Sequence, residues 1–239
     1  MLFYGRSGVG KTRLASSAPE VLIVDVNEEG TDSVRRDYNP DVYPVTFWTD
    51  LSDVYWYLQS GEHTYRSVAV DGVTSMQNLC MKFVLGDEAS RDASRDPDMP
   101  SRAVWGKVGE LMKTQITNYR NLPMNVIFTA LQRSRATTGE EGDIEDLIIT
   151  PNCSPSILSH LEASVSLIGH LATREVVVRR KKGDKVVRSK SRKQRLLVGP
   201  SERYSTKERY GVFGDYIDAP DLGTMIESIY GGTSKEDTA

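Results

Sequence analysis

The chain has 239 residues, 38% hydrophobic and 26% charged, enough to bury one α/β core; a single domain over residues 1–230 with a disordered tail, 231–239, is expected. No apolar run reaches membrane-spanning length and no leader pattern opens the chain. Two distant cysteines (Cys80, Cys153) and three scattered histidines argue for reduced thiols and against a zinc site, so a cytoplasmic protein with no membrane partner is expected.

The net charge of −3 conceals an asymmetry: residues 174–209 hold 14 Lys/Arg against 4 Asp/Glu, which marks that stretch as the place for a polyanion to dock. Taken in order, the chain opens on an apolar run, Met1-Leu2-Phe3-Tyr4. Gly5-Arg6-Ser7-Gly8-Val9-Gly10-Lys11-Thr12 follows, and then the helix-forming Arg13-Leu14-Ala15-Ser16. The run is short for a central strand, so an upstream start is left open. The middle segment fits G-x-x-x-x-G-K-[ST], the phosphate-binding loop, in its strand–loop–helix setting. Its glycines let successive N–H groups face one anion, and the helix N-terminus adds its positive dipole end. Lys11 is expected on the β- and γ-phosphates and Thr12 on Mg²⁺. A nucleoside triphosphate, taken as ATP with Mg²⁺, is the expected ligand.

Val21 to Val26 is a continuous apolar run typical of a buried parallel strand. Asn27-Glu28-Glu29-Gly30 reads as a loop, and Thr31 or Asp32 caps a short helix through Arg36. Residues 42–47 read as a strand, and the helix after Asp50 keeps apolar positions 51, 54, 55 and 58 at helical spacing. Residues 67–71 form a strand ending on Asp71, followed by a helix with Val73, Met76, Cys80, Phe83 and Val84 on one face. Residues 86–100 read as a polar loop. Ser101 caps another helix, and residues 124–129 form a strand with Gln132 just beyond its end. Residues 133–146 read as a second polar loop. A short helix starts at Ser154 or Ser156, and residues 165–171 form a strand. Residues 175–181 and 185–188 flank Lys182-Gly183-Asp184 as a basic antiparallel hairpin (about 174–198), and residues 195–198 form a further strand. Alternating strands and helices predict an α/β core, a mostly parallel sheet flanked by helices, with ligands at the carboxyl ends of the strands.

Asp71 is placed to hold Mg²⁺ through water. Gly72 follows it where many ring ATPases of the AAA+ type carry a water-activating glutamate, which weighs against that group. Asp25, Glu28 and Glu29 gather at the end of the second strand as alternative bases, with Glu28 favoured and Glu29 close behind. Gln132 is expected to hydrogen-bond the γ-phosphate. Trp48, Trp56 and Trp105 are expected in the core or an interface rather than as base-stacking groups.

Together with Lys207-Glu208-Arg209-Tyr210-Gly211, these segments resemble the RecA-like core ATPases, and most closely the short phage-encoded RecA-like proteins of the single-strand annealing group. The Lys207-x-Arg209-x-Gly211 element is similar to a motif of the RadA branch. The resemblance implies a RecA-like P-loop core and a homo-oligomer, ring or filament, with ATP at the subunit interface. It also implies that Lys207 and Arg209 reach the neighbour's triphosphate as an arginine finger does. Loops at residues 86–100 and 133–146 would then line the DNA path. The chain departs from full-length RecA in showing no segment before the first strand and no separate domain after the last, which leaves its mode of assembly open. On the hairpin, Arg179, Arg180, Lys181, Lys182, Lys185, Arg188, Arg192 and Lys193 are candidates to track a single-stranded DNA backbone. Tyr204 and Tyr210 are the nearest candidates for base stacking.

The leading expectation is an ATP-hydrolysing, single-stranded-DNA-binding protein of phage recombination, acting by annealing or strand pairing, with phage or host replication and recombination proteins as further partners. A replication accessory ATPase (helicase or helicase loader) and a P-loop small-molecule kinase are the alternatives.

Overall fold

The computed structural model describes residues 1–26, 34–91, 99–138, 144–182 and 185–231, with the backbone alone given for 137–138, 144–146, 177–182 and 185–190. Its strands and helices are β1 (Leu2–Gly5), α1 (Lys11–Ser16), β2 (Val21–Asp25), β3 (Asp41–Pro44), α2 (Asp50–Ser60), β4 (Ser67–Asp71), α3 (Val73–Arg91), α4 (Arg102–Arg120), β5 (Asn125–Thr138), β6 (Ile144–Pro151), α5 (Pro155–Ser164), β7 (Leu167–Lys182), β8 (Lys185–Leu197), β9 (Lys207–Glu208), β10 (Tyr216–Asp218) and α6 (Leu222–Tyr230).

The central sheet runs β10-β8-β7-β1-β5-β4-β2-β3, and all pairings from β7 to β3 are parallel. Every residue of β1, β2 and β4 is buried, as expected of strands covered on both faces. On one face Leu14, Ala15 and Ala18 of the α1 region pack with Leu222, Met225 and Ile226 of α6. On the other, α2, α3, α4 and α5 cover Leu2, Tyr4, Val24, Val70 and Phe128. The α/β class with a mostly parallel sheet and antiparallel additions toward the C-terminus is therefore the observed architecture. No described helix is long and apolar enough to cross a membrane.

The local signals explain most boundaries. Ser101 caps α4 by accepting from the Val104 amide at 3.3 Å. Ser154 stands at the N-cap of α5, with Pro155 in its first turn. The third strand ends earlier than residue 47 because the Asp50 carboxylate accepts from the amides of Thr46 and Phe47, both at 2.8 Å, and turns the chain into α2.

Four expectations need correction. Helix α3 runs on to Arg91, so residues 86–91 are helical rather than loop, and 92–98 lie outside the described residues. Residues 133–138 and 144–146 are not an irregular loop, and 139–143 lie outside the described residues. β5 continues past the parallel sheet and pairs antiparallel with β6, from Gln132↔Pro151 to Thr138↔Ile144. The expected strand at 165–171 and the first hairpin limb are one strand, β7, and the second limb and the 195–198 strand are another, β8. They share 13 paired rungs, from His170↔Leu197 to Lys182↔Lys185. Polar composition hid the strand character of residues 133–138, and it hid the continuity of the two hairpin limbs with the core strands, because only the bases of these segments enter the apolar core. The helix expected to start at Thr31 or Asp32 lies partly outside the described residues, and Val34 to Tyr38 form a turn instead.

Trp48 is buried at 8% exposure, whereas Trp56 and Trp105 stand 65% and 43% exposed. Cys80 and Cys153 are free, buried thiols, each pushed up to about 12 by burial.

Candidate functional site

The phosphate loop joins the carboxyl end of β1 to α1, and its shape depends on two glycines. Gly10 holds φ at 97°, and a Cβ there would lie 2.0 Å from the Gln194 side chain; at Gly5 a Cβ would lie 2.4 Å from the Leu171 carbonyl oxygen. The loop is thus clamped between α1 and the β7–β8 arm. Gln194 completes the clamp by donating its carboxamide N–H to the Val9 carbonyl at 2.8 Å. Lys11 is buried and its ammonium donates to the carbonyls of Arg6 at 3.2 Å and Gly5 at 3.5 Å.

β5 lies between the loop strand β1 and β4, and carries Thr129 to the same level as Asp71. Thr12 donates its hydroxyl to Asp71 Oδ2 at 2.6 Å, and Thr129 donates to the other carboxylate oxygen. Asp71 is 1% exposed. Burial pushes its carboxyl above the usual carboxylate range; the two hydroxyl donors pull it back, the neighbouring Asp25 raises it, and Lys11 lowers it. Asp25 and Asp71 stand side by side in register at the ends of adjacent strands. A hydroxyl and a buried carboxylate in contact at a phosphate loop suit Mg²⁺, which takes few protein ligands and completes its octahedron with phosphate oxygens and water. The residues present fit that ion.

On the β7 side of the loop, Gln132 Oε1 accepts from His170 Nε2 at 2.9 Å. The His170 ring stacks on Tyr204 (centroids 4.3 Å apart, 27° between planes) and lies 5.1 Å from the Tyr4 ring. Burial and the charge of Arg6 push His170 down to about 4, so it is a neutral donor at ordinary pH. Residues 203–205 are tied to β6, with the Ile149 amide donating to the Arg203 carbonyl at 2.7 Å and the Ser205 amide donating to that of Ile149 at 3.1 Å. Together these segments enclose a cavity of about 430 Å³, lined by Arg6, Ser7, Gly8, Val9 and Gln132 and by the bases of both hairpins.

Gly5, Arg6, Ser7, Gly8, Val9, Gly10, Lys11, Thr12, Asp71 and Gln132 thus converge at one edge of the sheet. Glu28 and Glu29 lie outside the described residues; the described carboxylate on that side is Asp25. Lys207 and Arg209 are elsewhere. β9 pairs with the start of β7 (Ile168↔Lys207, Leu167↔Glu208), and the Arg209 amide donates to Ser166 at 3.1 Å, at the opposite edge of the sheet. Lys207 is engaged in its own chain, its ammonium donating to the carbonyls of Glu162 at 2.6 Å and Val165 at 2.7 Å. Burial and the charge of Arg209 lower its pKa, while Glu162 opposes the shift. Arg209 is exposed.

Of the hairpin cations, Arg192 and Lys193 are described as exposed side chains; for Arg179, Arg180, Lys181, Lys182, Lys185 and Arg188 only the paired backbone is described. Sequence reasoning missed Thr129, His170 and Gln194. A lone threonine and a lone histidine in otherwise apolar strands were the available signals for two of them. Nothing in the sequence marks Gln194, because its role depends on where the arm folds back.

The strand–loop–helix, the hydroxyl–carboxylate pair and the sheet order define a P-loop nucleoside triphosphatase. The chain belongs to the AAA domain family, whose model matches residues 1–210, and it is accordingly an ATP-binding and ATP-hydrolysing enzyme. No curated protein is similar enough to the chain to be matched.

Proposed function

We propose that this ATPase is a single-stranded-DNA-binding recombination protein of a phage, acting by annealing or strand pairing as a homo-oligomer with ATP between subunits. The observation that carries the reading is the placement of the two antiparallel hairpins. β5 and β7 both run past the carboxyl edge of the parallel sheet, so both hairpins leave from the edge that holds the phosphate loop. One of them carries the basic run from Arg179 to Lys193.

In this reading the loop amides and Lys11 hold the triphosphate. Mg²⁺, carried by Thr12 and through water by Asp71, would neutralise phosphate charge. A carboxylate at the end of β2, Glu28 or Glu29, takes a proton from water as its oxygen bonds to the γ-phosphorus. The bond to the bridging oxygen breaks, and ADP leaves. Gln132 orients the γ-phosphate oxygens and passes their loss to the β5–β6 hairpin. Arg209 of a neighbouring subunit stabilises the charge that develops.

The test is a gel-shift titration with single-stranded DNA, with and without Mg²⁺–ATP, beside the rate of phosphate release. Binding is expected at low salt and should fall with about the 3.5 power of salt if about five phosphates are neutralised. Absence of binding at low salt overturns the reading. Duplex unwinding without annealing would move it to a replication helicase.

A further inference from the structure

We infer that the cavity beside the phosphate loop is a seat for a phosphodiester group of single-stranded DNA, walled by Arg6, Arg192 and Arg203. The inference deepens the proposed function and rests on it. Three observations carry it.

The cavity is charged with one sign. Arg6 comes from the loop, Arg192 from β8 and Arg203 from the segment docked on β6, and among the described residues no carboxylate lines it. Glu175, opposite Arg192 in the hairpin register, is not among the lining residues. Three arginines lining one cavity from separate segments favour an anion with several oxygens.

The cavity is also distinct from the place of the β-phosphate and its metal. Its wall uses residues 6–9 of the loop but not Gly10, Lys11, Thr12 or Asp71. An anion seated there lies off the Lys11, Thr12 and Asp71 site and borders the γ-phosphate end of the triphosphate, with Gln132 between the two.

Finally, the cations do not stop at the cavity. Outward from Arg192, every second rung of the arm brings a further cation, Lys190 opposite Val177 and then Arg188 opposite Arg179. A free phosphate would use the cavity and leave that line of charge idle, whereas a chain of phosphates uses both. The ring of Tyr204 in the same wall, stacked on His170 through one face, suits the sugar that accompanies the phosphate. Because the strand and the triphosphate share one loop, the nucleotide state acts directly on the strand.

The experiment is a fluorescence-anisotropy titration of the full chain with labelled oligodeoxythymidylate over a salt series. It compares wild type, Arg192→Gln with Arg203→Gln, and an arm variant carrying Arg179→Gln with Arg180→Gln, each checked for folding by thermal melting. The cavity pair is expected to lose roughly tenfold in affinity and to flatten the salt slope by about 0.7, one single-strand phosphate contact. If the cavity pair folds and keeps wild-type affinity and slope while the arm variant loses both, the cavity inference is overturned and the DNA-binding reading stands. If wild type fails to bind the oligonucleotide at low salt, both are overturned. Orthophosphate raising the melting temperature of wild type but not of the cavity pair, with oligonucleotide binding unchanged in the pair, identifies a free-anion site and also overturns the inference.

Discussion

The two ends of β7 do different work. At its carboxyl end the strand passes the phosphate loop, places His170 against Gln132 and becomes the basic arm. At its amino end it pairs with β9, which carries Lys207 and leads to Arg209. His170 stands four positions after Ser166, about 13 Å along a strand. A side chain anchored at the first end has no route to a triphosphate at the second within one chain. If Arg209 serves ATP at all, it serves the ATP of another copy, presented head to tail, and such a contact closes into a ring or continues as a filament.

The largest expected effect separates the ends directly. Lys11→Ala removes the loop cation and Arg209→Ala the exposed one, and each should lower phosphate release by about a thousandfold. Mixed in equal amounts, the two variants should regain part of the rate, since a protomer with an intact loop can meet one with an intact Arg209. Phosphate release from the mixture, read against each variant alone, checks this. A rate for Arg209→Ala equal to wild type breaks the comparison.

The same contrast explains what was legible in the sequence. The phosphate loop, Asp71, Gln132 and the parallel strands could be read because buried parallel strands are continuous apolar runs and the loop has an obligatory glycine pattern. The extension of β5 could not, since Arg133 and Arg135 look like loop composition once a strand leaves the core; the β7–β8 hairpin is legible in its two runs, but not that each limb continues a strand of the core. Thr129 and Gln194 escaped for a further reason. Their roles are hydrogen bonds to residues 58 and 185 positions away, which no local pattern encodes.

The next effect sits at the phosphate end of β7. His170 titrates near 4 in the fold, against about 6.5 in an unfolded chain. Between those values the unfolded chain binds more protons than the native one, so stability rises with pH across that window and is lost as pH falls through it. The loss is on the order of 3 kcal/mol at most. Arg6 is the charge facing the ring, so His170→Gln should flatten this part of the pH profile in urea denaturation. An unchanged profile would remove His170 as its source.

A smaller effect marks the other end. Lys207 holds two backbone carbonyls where α5 gives way to β7, whereas Arg209 is exposed. Lys207→Met should therefore cost about 2 kcal/mol of stability by leaving those carbonyls short of a donor. Arg209→Ala should cost little, with its effect confined to catalysis. Denaturant midpoints for the two variants settle which residue is structural; equal midpoints would put both lysine and arginine in the same role.

The smallest expected effect joins the nucleotide to the arm. Gln194 gives one hydrogen bond to Val9 and fills the space over Gly10, so Gln194→Ala should cost only about 1 kcal/mol of stability. Its consequence for coupling is larger than its energy suggests, because it is the described side chain of β8 that hydrogen-bonds the loop backbone. With it gone, a change of loop conformation on nucleotide binding loses one route to the arm, while the close approach of Gly5 to the Leu171 carbonyl remains. The difference in single-strand affinity between ATP-bound and ADP-bound protein should then shrink, while the affinity measured without nucleotide stays near wild type. A Gln194→Ala protein in which that difference is preserved would show that β7 alone carries the signal.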